Sequence, residues 1–104
     1  MNVGQAIKTL RQKNGMTLVQ LAARCGMSKT ALCNLEKGRA YPPKATVEKL
    51  CQAFDIPQSF LLMASIEESD IPEEKRVLYR ALLVPLREEL LTKDTEDGKQ
   101  SDKI

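Results

Sequence analysis

At 104 residues the chain has room for one domain, a short appendage and a modest core. Only 4% of residues are aromatic, Trp and His are absent, and the three Cys form no CxxC pair, which argues against a zinc site, a disulfide framework and the usual Ser or Cys catalytic triads. The net charge of +2 conceals a division: residues 1–52 carry nine Lys/Arg against two Glu, whereas residues 53–104 carry seven Lys/Arg against twelve Asp/Glu. A basic first half suits a polyanion, and an acidic second half is repelled by one.

Gly and Pro fall at segment ends, which favours small helices over sheet. The first helix is expected from Val3 to Lys13, with Asn2 as cap and Gln5 three residues on, as in a capping box. Val3, Ile7 and Leu10 form its apolar stripe, and Asn14-Gly15 ends it. A second helix starts at Thr17, where Gln20 completes a Thr-x-x-Gln box, and ends near Cys25. Gly26 suits a turn that needs positive φ. Ser28 is a good N-cap for a third helix, which stops before Gly38. Ala22 is small enough to sit where the second and third helices cross, and Leu21, Met27, Leu32 and Leu35 supply their shared apolar face. That layout is a helix-turn-helix, whose second helix enters the DNA major groove.

Tyr41-Pro42-Pro43 forces an extended connection. A fourth helix, Lys44 to Phe54, is expected to bury Val47, Leu50, Cys51 and Phe54. Pro57 fits the first position of a fifth, which continues through Phe60, Leu61 and Leu62. Ile66 to Ile71 reads as an acidic linker, and residues 72–92 read as helical again. There Leu78, Leu82, Leu86 and Leu90 recur every four residues, and Leu83 and Leu91 widen the stripe. Pro85 sits in the middle, so the helix is expected to kink or to divide. Residues 93–104 are polar and are expected to form a disordered tail. The expected organisation is therefore a DNA-binding unit over 1–65, a linker and C-terminal helix over 66–92, and a tail over 93–104.

The run from Thr17 to Gly38 resembles the lambda-repressor-like family, the Cro and XRE regulators, with its Thr, Leu-Ala, Gly, Ser, apolar residue and Glu-x-Gly in order. The likeness extends over about residues 3 to 64. It implies an all-α fold, a five-helix lambda-repressor-like DNA-binding domain, here with an additional C-terminal helix.

A recognition helix offers its first turn and one face to base edges, while neighbouring loops and helix ends grip phosphate. The outward positions are Lys29, Thr30, Cys33 and Asn34, and by resemblance Ser28, Lys29, Thr30, Cys33 and Asn34 match the family's base-facing positions. Lys29 suits guanine O6/N7, Thr30 can meet a thymine methyl, and Asn34 can pair bidentately with adenine. Phosphate contacts are expected from Thr17 and the start of the second helix, and from Lys37, Arg39, Tyr41 and Lys44. Leu18 departs from the family pattern, since many relatives carry Gln there, bonded to phosphate or to a recognition side chain.

The resemblance also implies a buried structural ion pair between Arg11 and Glu36. Cys25 and Cys51 match small core positions and are expected to be packing residues. Cys33 matches an outward position commonly held by Ser.

These features together predict a cytoplasmic, sequence-specific DNA-binding transcriptional regulator and not an enzyme. It is expected to bind a two-fold operator on double-stranded DNA as a homodimer, without cofactor or metal, with Leu78, Leu82, Leu86 and Leu90 as the dimer or partner face. No apolar run approaches the ~20 residues needed to span a bilayer, so no membrane is involved. The alternative is a protein-interaction module, such as an antitoxin or antirepressor-type partner, binding through the C-terminal helix.

Overall fold

The computed structural model describes residues 1–91, with side chains through residue 89. The expected tail at 93–104 and the side chain of Leu90 lie outside the described residues. Within them the fold is all-α. Five helices come first: α1 (Val3–Lys13), α2 (Leu18–Arg24), α3 (Lys29–Glu36), α4 (Lys44–Phe54) and α5 (Gln58–Ser65). After 3-10 turns at Glu68–Asp70 and Glu73–Lys75 comes a C-terminal helical stretch. It consists of α6 (Arg76–Leu78), a π-turn (Tyr79–Leu83) and α7 (Val84–Leu91).

Local chemistry sets the helix starts. The Asn2 side chain accepts from Gln5 N–H, but the Gln5 amide turns to Thr9 at 3.3 Å, so only half of the expected capping box forms. Thr17 and Gln20 complete theirs, with reciprocal bonds of 3.1 and 2.9 Å. Ser28 Oγ accepts from Ala31 N–H at 3.0 Å and opens α3. Pro57 stands one place earlier than expected, as the extended N-cap of α5. The turn between α2 and α3 closes through Met27 N–H to Ala22 O and Gly26 N–H to Ala23 O. This closure puts Gly26 at φ +66°, where a Cβ would be strained.

One core unites α1 to α5. Ile7, Leu21, Leu32, Leu50 and Leu61 are its most enclosed apolar side chains, Ala22 is buried between the second and third helices, and Cys25 and Cys51 pack among them. Burial raises the thiol pKa of both cysteines, which keeps them protonated and inert as packing groups. Val47 is only half-buried at the rim.

Gly4 governs how α1 meets α3. A Cβ there would lie 2.4 Å from Leu35 O and 2.7 Å from Glu36 O, both main-chain atoms that cannot swing aside. The absent side chain lets α1 rest directly on the end of α3.

The C-terminal stretch folds back onto α1 and α5. Tyr79 is the buried anchor, its hydroxyl donating to Ile66 O at 3.3 Å. Arg87 donates to the same carbonyl and lies 5.9 Å from the Tyr79 ring centroid. Leu83 and Val84 are half-buried, whereas Leu78, Leu82 and Leu86 remain exposed on the outer side. The winding continues past Pro85 instead of dividing there. In the π-turn just before it, Val84 N–H reaches back five residues to Tyr79 O. This wider turn accommodates a ring that would crowd the preceding α-helical turn.

Two predictions follow from these contacts. Gly4→Ala should lower stability by about 1–3 kcal/mol, as overpacking against main chain does; an unchanged urea midpoint would mean that α1 and α3 stand further apart. The second concerns Arg80, which bonds both oxygens of Glu68 at 2.9 and 2.7 Å. Those hydrogen bonds are the main reason that the Glu68 carboxyl titrates below its ordinary value. A depressed carboxylate pKa stabilises the fold above the ordinary glutamate value of the unfolded chain, and that contribution is lost as pH falls through the lower folded value. NMR titration should place the Glu68 midpoint below that of the unfolded chain, and Arg80→Ala should raise it. A midpoint that ignores the Arg80 substitution would show that the pair does not form in solution.

Candidate nucleic-acid interface

The start of α3 faces solvent. Lys29 and Thr30 are exposed in its first turn, beside the cap residue Ser28. A cation at a helix N-terminus opposes the helix dipole, so Lys29 sits where the isolated fold gains nothing from its charge and an incoming anion would. Asn34 is half-buried one turn further on. Its Oδ1 accepts from Arg39 Nη1 at 3.5 Å, and Arg39 N–H closes the end of α3 on Asn34 O at 2.9 Å. Arg39 therefore holds Asn34 from both main chain and side chain, which restricts the rotamer with which the amide meets a partner.

Cys33 stands at the edge of that face. It is half-buried in a groove between α1 and α3, together with Lys37, Leu18 and, from α1, Gln5 and Lys8. Leu18 packs partly against the core, so the expected family clamp is replaced by an apolar contact. Lys8 is the cation that sequence reasoning missed. Its position on the solvent side of α1 gave no sign that folding would bring it to the groove that Lys37 also lines.

Lys37, Arg39, Tyr41 and Lys44 are all exposed on α3's end, the following loop and the start of α4. Thr17 is exposed as well, and although its oxygen caps α2, its hydroxyl proton remains available to a phosphate oxygen. Lys29, Lys37, Arg39 and Lys44 have no carboxylate partner among the described residues.

Glu36 is the only acidic residue before Glu48, and it lies on α3 itself. Arg11 takes it up with a two-point grip, Nε to Oε2 at 2.7 Å and Nη2 to Oε1 at 3.2 Å. The third donor, Nη1, bonds Met16 O at 2.9 Å in the turn before α2. The side chains are 11% and 6% exposed. One guanidinium thus links α1, the following turn and α3, and it neutralises the one carboxylate that α3 carries.

Residues 2–59 match the family described as "Helix-turn-helix domain". The chain belongs to that helix-turn-helix family. It is 36% identical to the immunity repressor protein of Bacillus phage phi105, over 72% of this chain and 50% of the relative. It is 30% identical to the HTH-type transcriptional repressor RghR of Bacillus subtilis strain 168, over 70% of this chain and 58% of that one. The competence pilus inhibition repressor of Acinetobacter baylyi is 36% identical, over 64% of this chain and 63% of its own. The chain thus spans between 50% and 63% of the length of these relatives' sequences. Among solved structures, a SinR protein/SinI protein complex is similar with a TM-score of 0.56 and 26% identity, over 85% of this chain and 90% of that one.

In this helix-turn-helix the Arg11–Glu36 pair can be weighed by a double-mutant cycle. Removing either partner should cost about 3–5 kcal/mol, because the other charge is left enclosed. The double Ala variant should be less destabilised than the sum of the singles. Coupling near zero by chemical denaturation would place both side chains in solvent.

Proposed function

We propose that the protein is a sequence-specific DNA-binding transcriptional regulator of the repressor type. Residues 1–65 read one half of a two-fold operator, and a homodimer reads the whole. The observation that carries this reading is the exposed cationic surface around α3, whose own carboxylate, Glu36, is already occupied by Arg11. Lys29, Thr30 and Asn34 meet base edges, with Ser28 and Cys33 at the margins of that face. Thr17, Lys37, Arg39, Tyr41 and Lys44 hold phosphate and set register, with Lys8 extending the grip along α1. One small module contacts too few base pairs for useful selectivity, which favours two copies on a two-fold site. Such a regulator acts in the cytoplasm, and no described helix is long and apolar enough to cross a membrane.

A second reading has its own support. The similar solved structure is a complex of two proteins, SinR and SinI, and the outer face of the C-terminal helix here is apolar. A protein partner on that face is compatible with DNA binding by α3.

The DNA reading is tested by site selection from a randomised duplex pool, followed by titrations. Asn34→Ala should lose about 1–3 kcal/mol on the selected site and relax preference at one base pair. Lys37→Ala or Lys44→Ala should weaken binding to every sequence and reduce the salt slope by about one. Selection that returns no common sequence, or an Asn34 variant with unaltered preference, would remove base readout from this helix.

A further inference from the structure

We propose that the outer face of the C-terminal helix binds the same face of a second copy, antiparallel and centred on Leu82. This rests on the reading above, that the regulator serves a two-fold site. Val77, Leu78, Leu82 and Leu86 are 70%, 56%, 65% and 45% exposed although the helix already buries Tyr79 against its own domain. An apolar row left in solvent on an otherwise docked helix marks an interaction surface.

The pattern along the helix selects the occupant. Leu78 and Leu86 stand four residues before and after Leu82; Lys75, the last residue of the 3-10 turn leading into the helix, and Glu89 stand seven before and after it. A two-fold axis at Leu82 therefore sets Leu82 on its own copy, Leu78 on Leu86, and Lys75 on Glu89, at both ends of the contact. Lys75 and Glu89 are exposed and have no ion-pair partner among the described residues. A parallel pairing would instead oppose Lys75 to Lys75 and Glu89 to Glu89. The other cations of this stretch are engaged within the protomer: Arg76 on Ile71 O, Arg80 on Glu68, and Arg87 on Ile66 O. Ala81 and Pro85, both exposed, add little bulk between the helices. The π-turn contributes too. A four-residue repeat drifts around a 3.6-residue α-helix, and one wider turn between Leu78 and Leu82 offsets part of that drift. The face is isologous, as closed two-fold dimers require.

The test is sedimentation equilibrium on the full chain, with far-UV circular dichroism as a check of folding and binding to a short random-sequence duplex at low salt as a check on α3. The wild type should form dimers in the micromolar range, and Leu82→Asp should abolish them while leaving the spectrum and the weak duplex binding unchanged. Lys75→Glu and Glu89→Lys should each weaken dimerisation about tenfold, because each puts like charges at both ends. The two together should restore it to within about threefold of wild type. A wild type that stays monomeric at high micromolar concentration overturns the proposal, as does a Leu82→Asp dimer. Failure of the charge swap to restore association overturns the antiparallel register. Loss of duplex binding in a wild type that still dimerises would count against the DNA reading and leave this interface standing.

Discussion

The orientation of the recognition helix depends on the Arg11–Glu36 pair. A near-buried ion pair is a poor source of net stability, since desolvating both charges offsets most of their attraction. Its value here is geometric. The planar guanidinium grips the Glu36 carboxylate at two points and the Met16 carbonyl at a third, so α1, the turn and α3 are held in one arrangement. Gly4 supplies the other constraint from the same helix, letting α1 touch the main chain at Leu35 and Glu36. A fork and a close backbone approach together define where the far end of α3 lies, and its start is left free in solvent.

A second junction forms at the end of α5. The last carbonyls of a helix have no partner within it, and here two at this end dock other segments. Ser65 O accepts Asn2 N–H at 2.8 Å, joining the start of α1. Ile66 O accepts from Tyr79 and Arg87, joining the C-terminal helix. The helix that carries the apolar row is thus attached through polar groups and one aromatic ring. Its leucines are not consumed by the attachment.

The helix starts and turns were legible because their causes are local. Thr17 with Gln20, Ser28, and Gly26 each act within a few residues, and the helix-turn-helix follows from their order. What was not legible depended on distant segments. The Leu78, Leu82 and Leu86 repeat identified a face correctly as a row, but a row does not say whether its own domain covers it. Tyr79, off that row, turned out to make the intramolecular contact, aided by a π-turn that no periodicity announces. Nothing local to Gly4 in the sequence says that α3 lies against it. Cys33 was assigned outward by helical spacing, and only the position of α1 turns it into a groove. For the same reason Lys8 could not be selected from the other surface lysines.

The two halves of the chain use their cations differently, and this orders the molecule on a polyanion. In the first half Arg11 is the side-chain cation that meets a carboxylate, while the Met1 ammonium group pairs with Asp70 and Lys29, Lys37, Arg39 and Lys44 stay unpaired by carboxylates among the described residues. In the second half Arg76, Arg80 and Arg87 are all held by carbonyls or by Glu68. The formal charge of +2 therefore understates the attraction of one side and conceals the repulsion of the other. Charge fields of this kind orient an encounter before any contact is made. On the proposed function, such an orientation would turn α3 toward the duplex and the acidic C-terminal segment away from it. The proposed Leu78–Leu82–Leu86 face would then stay open to a protein on the side where phosphate repels the rest of that segment, and DNA and a protein partner would not compete for one surface.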